Sequence, residues 1–237
     1  MSYVISDPIW RTIQEKVKEG NVTELLDVYT VNNLDYNAKG GNYKSTVLHV
    51  AAEKDKQEIA GYLIQHGAEV DIKDSSGLTP LHVAARNNSV EVAKLLLQHG
   101  ADVNIKDKYG ENLLREAASN NSVEFAKVLL EHGADVNTKN SSGRTPLHYA
   151  ESDNSIELVK LLLEQGAEVN IKNSDGETPL HDAVRDNSIE LVKLLLEHGA
   201  EVNTKNNDGE TPLHDAESDN SIELVKLLLE HGAEVNF

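Results

Sequence analysis

The sequence predicts an all-α solenoid, in which helix-turn-helix units joined by hairpin loops stack in a row. Two phrases predict this fold because both recur on a period of 33 residues. A Thr-Pro-Leu-His phrase contains His82, His148, His181 and His214. A Gly-Ala phrase contains the glycines Gly67, Gly100, Gly133, Gly166, Gly199 and Gly232. A period of this length indicates an array in which each unit covers the apolar side chains of its neighbour.

Each unit is predicted to contain two short helices. Thr79 suits the N-cap of the first helix and Pro80 its first position, where a missing N–H costs nothing. We expect Ser89 to cap the second helix, whose leucines need a neighbouring unit to cover them. Gly100 follows that helix, where the chain commonly takes the left-handed conformation. The polar residues 101–110 then suit a hairpin loop between units.

These phrases resemble the ankyrin-repeat family from about Ser45 to Asn236. The family pattern is Gly-x-Thr-Pro-Leu-His, an Ala-rich helix, a Leu-rich helix, then Gly-Ala and Val-Asn. The resemblance implies one ankyrin-repeat domain over residues 1–237, with residues 1–40 as a divergent N-terminal cap and residues 41–237 as six repeats. We number the repeats by the residue at the motif histidine position: His49, His82, Arg115, His148, His181 and His214.

Both ends of the array depart from the internal pattern. In the N-terminal cap, a helix starting at Asp7 and Pro8 is expected to bury Ile9, Ile13 and Val17. The last repeat copies an internal one and has no evident polar cap, although a terminal repeat normally needs one. We expect further chain, a partner or a second copy to cover it, which makes end-to-end self-association through this repeat possible.

The third repeat departs from the motif at the start of its first helix. Asn112 replaces the motif threonine and Arg115 replaces the motif histidine. Because asparagine is also a good N-cap residue, we expect a local soft spot and an intact stack.

The amino-acid composition excludes several classes of partner and chemistry. The 40 Asp and Glu residues outnumber the 22 Lys and Arg residues, giving a formal charge of −18 that repels nucleic acid and attracts basic partners. The absence of cysteine excludes disulfides and thiolate chemistry. The N-terminus does not resemble a signal peptide, and no apolar stretch approaches the roughly 18 residues of a membrane span. We therefore expect no membrane insertion and an intracellular, cytoplasmic location, or delivery into a host cytoplasm if the chain is a microbial effector.

The ten histidines do not have the pattern of a metal site. They recur once per repeat in two series, and equivalent residues in neighbouring repeats lie about 8–10 Å apart. Zinc ligation needs nitrogens about 2 Å from one ion. In the ankyrin family the motif histidine is structural and braces the turn. Without a phosphate loop, nucleophile elbow or metal-binding motif, the sequence predicts no cofactor and no enzyme.

The resemblance implies a protein–protein interaction module. The family typically contacts partners through the turn before Gly-x-Thr-Pro and the inner face of the first helix. Repeats five and six differ at three of 31 compared positions, and all three lie in or beside those zones; drift at tolerant positions is the alternative. Carrying the family's contact positions onto this chain predicts these binding residues: Ser75, Leu78, Arg86, Lys108, Tyr109, Glu111, Arg144, Tyr149, Asp153, Asp175, Glu177, Asp182, Arg185, Asp186, Asp208, Glu210, Asp215, Ser218 and Asp219.

The charge distribution predicts the chemistry of the partner. Residues 141–237 contain 20 acidic and 7 basic residues, whereas residues 1–140 contain 20 and 15. We expect a protein partner whose basic segment lies along repeats four to six on the concave face. The alternative is that these carboxylates only maintain solubility. Two other roles stay open: a structural spacer or scaffold within a longer chain, and a host-directed effector of an intracellular microbe.

One modification is also implied by the resemblance. The asparagine of the Val-Asn phrase is hydroxylated in some ankyrin proteins. The matching residues are Asn104, Asn137, Asn170, Asn203 and Asn236. The alternative, which we favour, is that this asparagine serves the backbone geometry of the hairpin.

Overall fold

The structure, a computed structural model, describes residues 4–150 and 156–235. Over these ranges the chain is mostly helical, which confirms the predicted all-α solenoid of helix-turn-helix units. The helices are α1 (Asp7–Glu19), α2 (Val22–Val31), α3 (Val47–Glu53), α4 (Gln57–Gln65), α5 (Pro80–Asn87), α6 (Val90–Gln98), α7 (Leu113–Ser119), α8 (Val123–Glu131), a 3-10 helix (Pro146–Tyr149), α9 (Ile156–Glu164), α10 (Pro179–Arg185), α11 (Ile189–Glu197), α12 (Pro212–Ser218) and α13 (Ile222–Glu230). Within the described ranges every helix is too short or too polar to span a bilayer.

The chain divides into two compact units. The first contains Met1–Lys108 and Glu131–Gly133, and the second contains Tyr109–Leu130 and Ala134–Phe237. In the first unit α3 packs against α4 of its own repeat and α5 of the next, and α4 packs against α6. In the second unit α10 packs against α11 and α12, and α11 packs against α9 and α13. Like helices therefore stack on like helices within each unit, as a repeat array requires.

One leucine of each second helix lies at the centre of the packing. These leucines are between 0% and 1% exposed, so burial of each contributes about 1.5–3 kcal/mol. They are Leu63, Leu96, Leu129, Leu162, Leu195 and Leu228. After each of these helices the predicted left-handed glycine is present, as at Gly100 with φ 87°.

The motif histidine braces the start of the first helix, as the family resemblance implied. In repeat two, Nδ1 of His82 lies 3.2 Å from the backbone nitrogen of Thr79 and 2.9 Å from its Oγ1. In repeat one, Nε2 of His49 donates to the carbonyl of Leu78 in the next repeat, at 2.9 Å. The histidine thus ties its own turn to its neighbour. Burial lowers the pKa of His82 and of His148 to about 4, so both rings are neutral at pH 7.

The second helix of repeat two is capped from the preceding repeat. Ser89 occupies the N-cap position of α6 and is buried, but its side chain makes no capping hydrogen bond. Instead, Oδ1 of Asp55 accepts a hydrogen bond from the backbone N–H of Val92, at 3.1 Å. The prediction that Ser89 caps this helix is therefore wrong.

The N-terminal helix buries two of the three predicted residues, and Trp10 takes the place of the third. Helix α1 buries Trp10, Ile13 and Val17, whereas Ile9 is half-buried. The indole packs flat on Gly40 and Gly41, where the Cβ atom of any other residue would clash with the ring. Gly40 ends strand β2 (Lys39–Gly40), which pairs in parallel with β1 (Val4–Ile5), and Gly41 begins the turn that follows. Trp10 lies three residues before Ile13, a spacing that also falls on one face of a helix, and its burial covers the larger side chain.

Candidate protein-binding surface

The loops between repeats are built on a recurring asparagine or aspartate. Oδ1 of Asn173 accepts hydrogen bonds from the backbone N–H groups of Asp175 and Glu177, at 2.9 and 3.0 Å. The equivalent residues Asp74, Asn140 and Asn206 accept the corresponding pairs. Our sequence analysis missed these residues, although their period of 33 could have revealed them.

Neighbouring loop tips of the second unit are joined through their backbones. Ser174 N–H donates to the carbonyl of Ser142 at 2.9 Å, and Asn207 N–H donates to the carbonyl of Asp175 at 2.9 Å. Gly176, with φ 77°, allows this approach, since a Cβ there would lie 2.9 Å from the backbone nitrogen of Asn207. Because the backbone makes these bonds, the tip carboxylates of Asp175 and Asp208 are left exposed.

The predicted contact residues of the first unit lie at or near the surface. Ser75, Arg86 and Lys108 are exposed, and Leu78 is half-buried. Nη2 of Arg86 lies 3.5 Å from Oδ2 of Asp107, whose side chain is almost fully buried. Arg86 therefore offsets the charge of a buried carboxylate while 42% of its own side chain stays exposed.

The predicted residues of the second unit differ in exposure, and Asp153 lies outside the described residues. The exposed ones are Tyr109, Asp175, Arg185, Asp186, Asp208, Glu210, Ser218 and Asp219. The half-buried ones are Glu111, Arg144, Tyr149, Glu177 and Asp215. Asp182 alone among those described is buried, with 6% of its surface exposed. A partner cannot reach that carboxylate without displacing the side chains that cover it, so burial argues against the predicted direct contact by Asp182.

Asp182 is instead the centre of an arginine–carboxylate network that joins repeats four and five. Oδ2 of Asp182 lies 3.1 Å from Nη2 of Arg144, and Oδ1 lies 2.6 Å from Nη2 of Arg185. Arg185 also binds Glu177 through both guanidinium nitrogens, at 2.6 and 3.2 Å. This bidentate pair lowers the pKa of Glu177 to about 2, whereas burial raises the pKa of Asp182 to about 6 against the pull of its two arginines.

Tyr149 extends the network towards repeat three. Two guanidinium groups lie over its ring, with the Cζ atoms of Arg115 and Arg144 at 5.1 and 4.9 Å from the ring centroid. Its hydroxyl lies 2.7 Å from Nδ2 of Asn140 and donates to Glu111 at 3.4 Å. Cation–π contact with both arginines helps to hold the ring in place. Sequence analysis identified Arg115 only as a departure from the motif and missed this contact.

The asparagines of the Val-Asn phrase link neighbouring repeats. Nδ2 of Asn170 donates to the carbonyl of Gly199 at 3.0 Å, while its Oδ1 accepts from the backbone N–H of Glu201 at 2.9 Å. Asn137 and Asn203 make the equivalent pairs, and Asn104 donates to the carbonyl of Gly133. Asn236, the last candidate for hydroxylation, lies outside the described residues. The amide geometry favours a structural role for this asparagine.

The exposed side chains of this surface can bind a partner, and their arrangement does not suggest a metal site. Among residues 4–150 and 156–235, no group of three or more His, Asp or Glu side chains is arranged to hold a metal ion. The buried polar atoms are engaged mainly in bonds that brace turns and join repeats.

Comparison with known proteins identifies the family. A family model described as ankyrin repeats (3 copies) matches residues 14–107, 99–173 and 154–237. A search of curated proteins finds no significant match to the chain. Ankyrin repeats are in general protein–protein interaction modules, and proteins built from them are typically not enzymes. Since the matched segments together cover nearly the whole chain, this protein belongs to the ankyrin-repeat family.

Proposed function

We propose that this protein binds a partner protein through a basic segment that lies on the acidic surface of the second unit. We define the acidic surface as the loop and first-helix carboxylates of repeats five and six: Asp175, Asp186, Asp208, Glu210, Asp215 and Asp219. The net charge of −13 over residues 141–237 supports a basic ligand. Complementary charge of this kind speeds encounter and selects among partners. We treat residues 1–237 as one ankyrin-repeat domain with residues 1–40 as its cap.

The observation that carries the proposal is the contrast between Asp182 and Asp215. The two occupy the same position of successive repeats, 33 residues apart. Asp182 is neutralised by Arg144 and Arg185. One repeat further along, the positions equivalent to Arg144 and Arg185 hold Glu177 of repeat five and Ser218 of repeat six.

Asp215 therefore lacks both hydrogen-bonded arginines of the earlier site. Its Oδ2 is buried and has no hydrogen-bond partner among the described residues. Burial raises the pKa of Asp215 to about 6 against the attraction of Arg185, and nearby Glu210, Glu177 and Asp219 add negative potential. A guanidinium from a partner could take the position that Arg144 takes beside Asp182. The exposed Asp175, Asp208 and Asp219 supply further carboxylates around it.

Charge reversal tests the proposal. We would convert Asp175, Asp186, Asp208 and Asp219 to lysine and measure binding of a fluorescein-labelled arginine-rich peptide by anisotropy. We expect the affinity to fall at least about tenfold, since each lost charge-assisted contact contributes about 1.5–3 kcal/mol. Affinity of the unaltered protein should also fall as salt rises.

A matched control separates this surface from the overall charge. Glu164, Glu197, Glu223 and Glu230 are exposed carboxylates on the second helices, and their conversion to lysine changes the net charge equally. This control should lose much less affinity than the reversal on the acidic surface. Equal losses would mean that the peptide responds only to net charge, and the proposal would fail.

A second proposal concerns the face of α13, which we infer mediates end-to-end self-association. Helices α11 and α13 have the same sequence, IELVKLLLE, and α11 packs against α13. On α13 itself Ile222 is 70% exposed and Leu229 is 42% exposed, whereas Ile189 and Leu196 of α11 are half-buried. A second copy could cover this apolar face, which would make the contact isologous.

Sedimentation measurements over a range of concentrations test this contact. We expect a reversible dimer that the change of Ile222 and Leu229 to lysine abolishes. The same changes at exposed positions of α1, Gln14→Lys and Glu15→Lys, should leave the dimer intact. A monomer at every concentration would refute self-association and leave the binding proposal unaffected.

A further inference from the structure

A cavity in the first unit shares no residue with the acidic surface. It has a volume of about 430 Å³, within the range of about 300–1,000 Å³ that ligand pockets occupy. Helix α1 forms one wall with Asp7, Trp10 and Arg11. The turn after β2 contributes Tyr43, and helix α3 contributes Glu53.

The indole of Trp10 brings an unused hydrogen-bond donor to this cavity. Trp10 is 6% exposed, and its ring is fixed against Gly40 and Gly41. No described residue accepts a hydrogen bond from the indole N–H. Although most of the ring is buried, this N–H is not among the polar atoms sealed from water, so a ligand can reach it. A ligand carbonyl oxygen would supply the acceptor.

The charged side chains that line the cavity favour a positively charged ligand. Asp7, Glu53 and Asp74 face the cavity against a single guanidinium, that of Arg11. Oδ1 of Asp74 accepts two backbone hydrogen bonds of its own loop, which leaves Oδ2 for a ligand. Among the residues that the structure describes, Glu53 pairs only with the adjacent Lys54, and both side chains are 43% exposed. Such an exposed pair is weak and is readily exchanged for a better one.

The remaining wall suits the aliphatic part of a long basic side chain. Val50 and Val83 provide apolar surface. Tyr43 lies at the rim and is 65% exposed, so that its ring face is open to a cation. An anionic ligand would meet three carboxylates and is disfavoured. Arginine fits better than lysine, since its planar guanidinium can bind carboxylates with two parallel hydrogen bonds.

We propose that this cavity binds an arginine side chain of an extended peptide from a partner protein. The guanidinium lies among the carboxylates of Asp7, Glu53 and Asp74. A neighbouring peptide carbonyl accepts the hydrogen bond of the Trp10 indole. The inference does not depend on the acidic surface, because it uses other residues and another unit of the chain.

The chain contains one tryptophan, which makes the test direct. In a ¹⁵N–¹H correlation spectrum the indole N–H gives a single resonance that reports on this cavity alone. We would titrate the protein with a capped Ala-Ala-Arg-Ala-Ala peptide and with the same peptide carrying citrulline, which is close in shape and neutral. We expect a saturable downfield shift with the arginine peptide and an affinity lower by about tenfold or more with citrulline.

Variants separate the groups involved. The double variant Asp7→Asn, Glu53→Gln should lower the affinity for the arginine peptide by about tenfold. It should leave the indole resonance of the free protein in place. Trp10→Phe keeps a ring on the two glycines and removes the donor, so calorimetry should show weaker binding of the same peptide. Asp215→Asn, in the second unit, is the control and should change nothing at this resonance. An indole resonance that does not move, or that moves equally with both peptides, would overturn the proposal.

Discussion

At the scale of single residues, the motif histidines link stability to pH. The pKa of His82 and of His148 is about 4, below the ordinary value of 6.5. The unfolded chain therefore binds protons before the folded chain does as the pH falls from 6.5 to 4. Stability conferred by the neutral rings is fully present above pH 6.5 and is lost through that window.

We predict that the free energy of unfolding in urea falls by about 2–3 kcal/mol for each of these histidines between pH 6.5 and pH 4. The variant His148→Gln should be less stable at pH 7 but should lose less stability on acidification. The control is His99→Gln, which removes an exposed histidine and leaves the buried motif histidines in place. If the free energy of unfolding of His148→Gln depended on pH as strongly as that of the unaltered protein, this prediction would be wrong.

Asp215 tests whether an internal arginine can replace the one that we propose a partner supplies. Ser218→Arg places a guanidinium three residues after Asp215, as Arg185 stands to Asp182. We predict that the pKa of Asp215 falls from about 6, because an adjacent positive charge favours the carboxylate. Carboxyl ¹³C titration would measure the shift. The affinity for the arginine-rich peptide should fall as well. If neither the pKa nor the affinity changed, the carboxylate of Asp215 would not be accessible to a guanidinium.

At the scale of secondary-structure elements, repeat three shows how a departure from the motif is absorbed. Oδ1 of Asn112 accepts from the backbone N–H of Arg115 at 2.8 Å, which confirms the predicted cap. Its Nδ2 also donates to the carbonyl of Thr138 at 3.1 Å. A threonine could make only the first of these bonds. Asn112 thus caps α7 and also binds the next repeat, as the motif histidine does elsewhere.

We predict that Asn112→Thr destabilises the protein by about 1 kcal/mol although it restores the motif residue. Asn112→Ala removes both bonds and should cost about 2 kcal/mol. Urea unfolding would measure both, with Ser119→Ala at the exposed end of α7 as the control. A threonine variant more stable than the unaltered protein would show that the bond to Thr138 contributes little.

The elements could be predicted from the sequence because their signals are local. A threonine before a proline, a leucine at helical spacing and a glycine after the helix each act within one repeat. What could not be predicted are contacts between side chains that differ from repeat to repeat. Asp182 lies beside Arg144 although 38 residues separate them. The cap that Asp55 gives to α6 and the packing of Trp10 on two glycines have the same origin. The 33-residue period of the sequence therefore predicts the path of the backbone, but it does not predict which side chains pair between repeats.

At the scale of the whole molecule, excess negative charge should act in opposite directions on folding and on binding. The formal charge is −18, and 13 of these charges are the excess within residues 141–237. Like charges destabilise the compact state by repulsion, whereas they attract a basic ligand. Salt screens both effects. Raising the ionic strength from about 0.01 M to about 0.15 M shortens the Debye length from about 30 Å to about 8 Å.

We therefore predict that the same increase in salt raises the Tm of the free protein and weakens its complex with the arginine-rich peptide. A gain of about 1 kcal/mol in stability corresponds to about 2–4 °C for a chain of this size. Calorimetry and anisotropy in matched buffers would measure the two effects. The variant with four lysines on the second helices carries less repulsion, so its Tm should respond less to salt. A Tm that falls with salt would mean that ion pairs such as Arg185–Glu177 outweigh the repulsion.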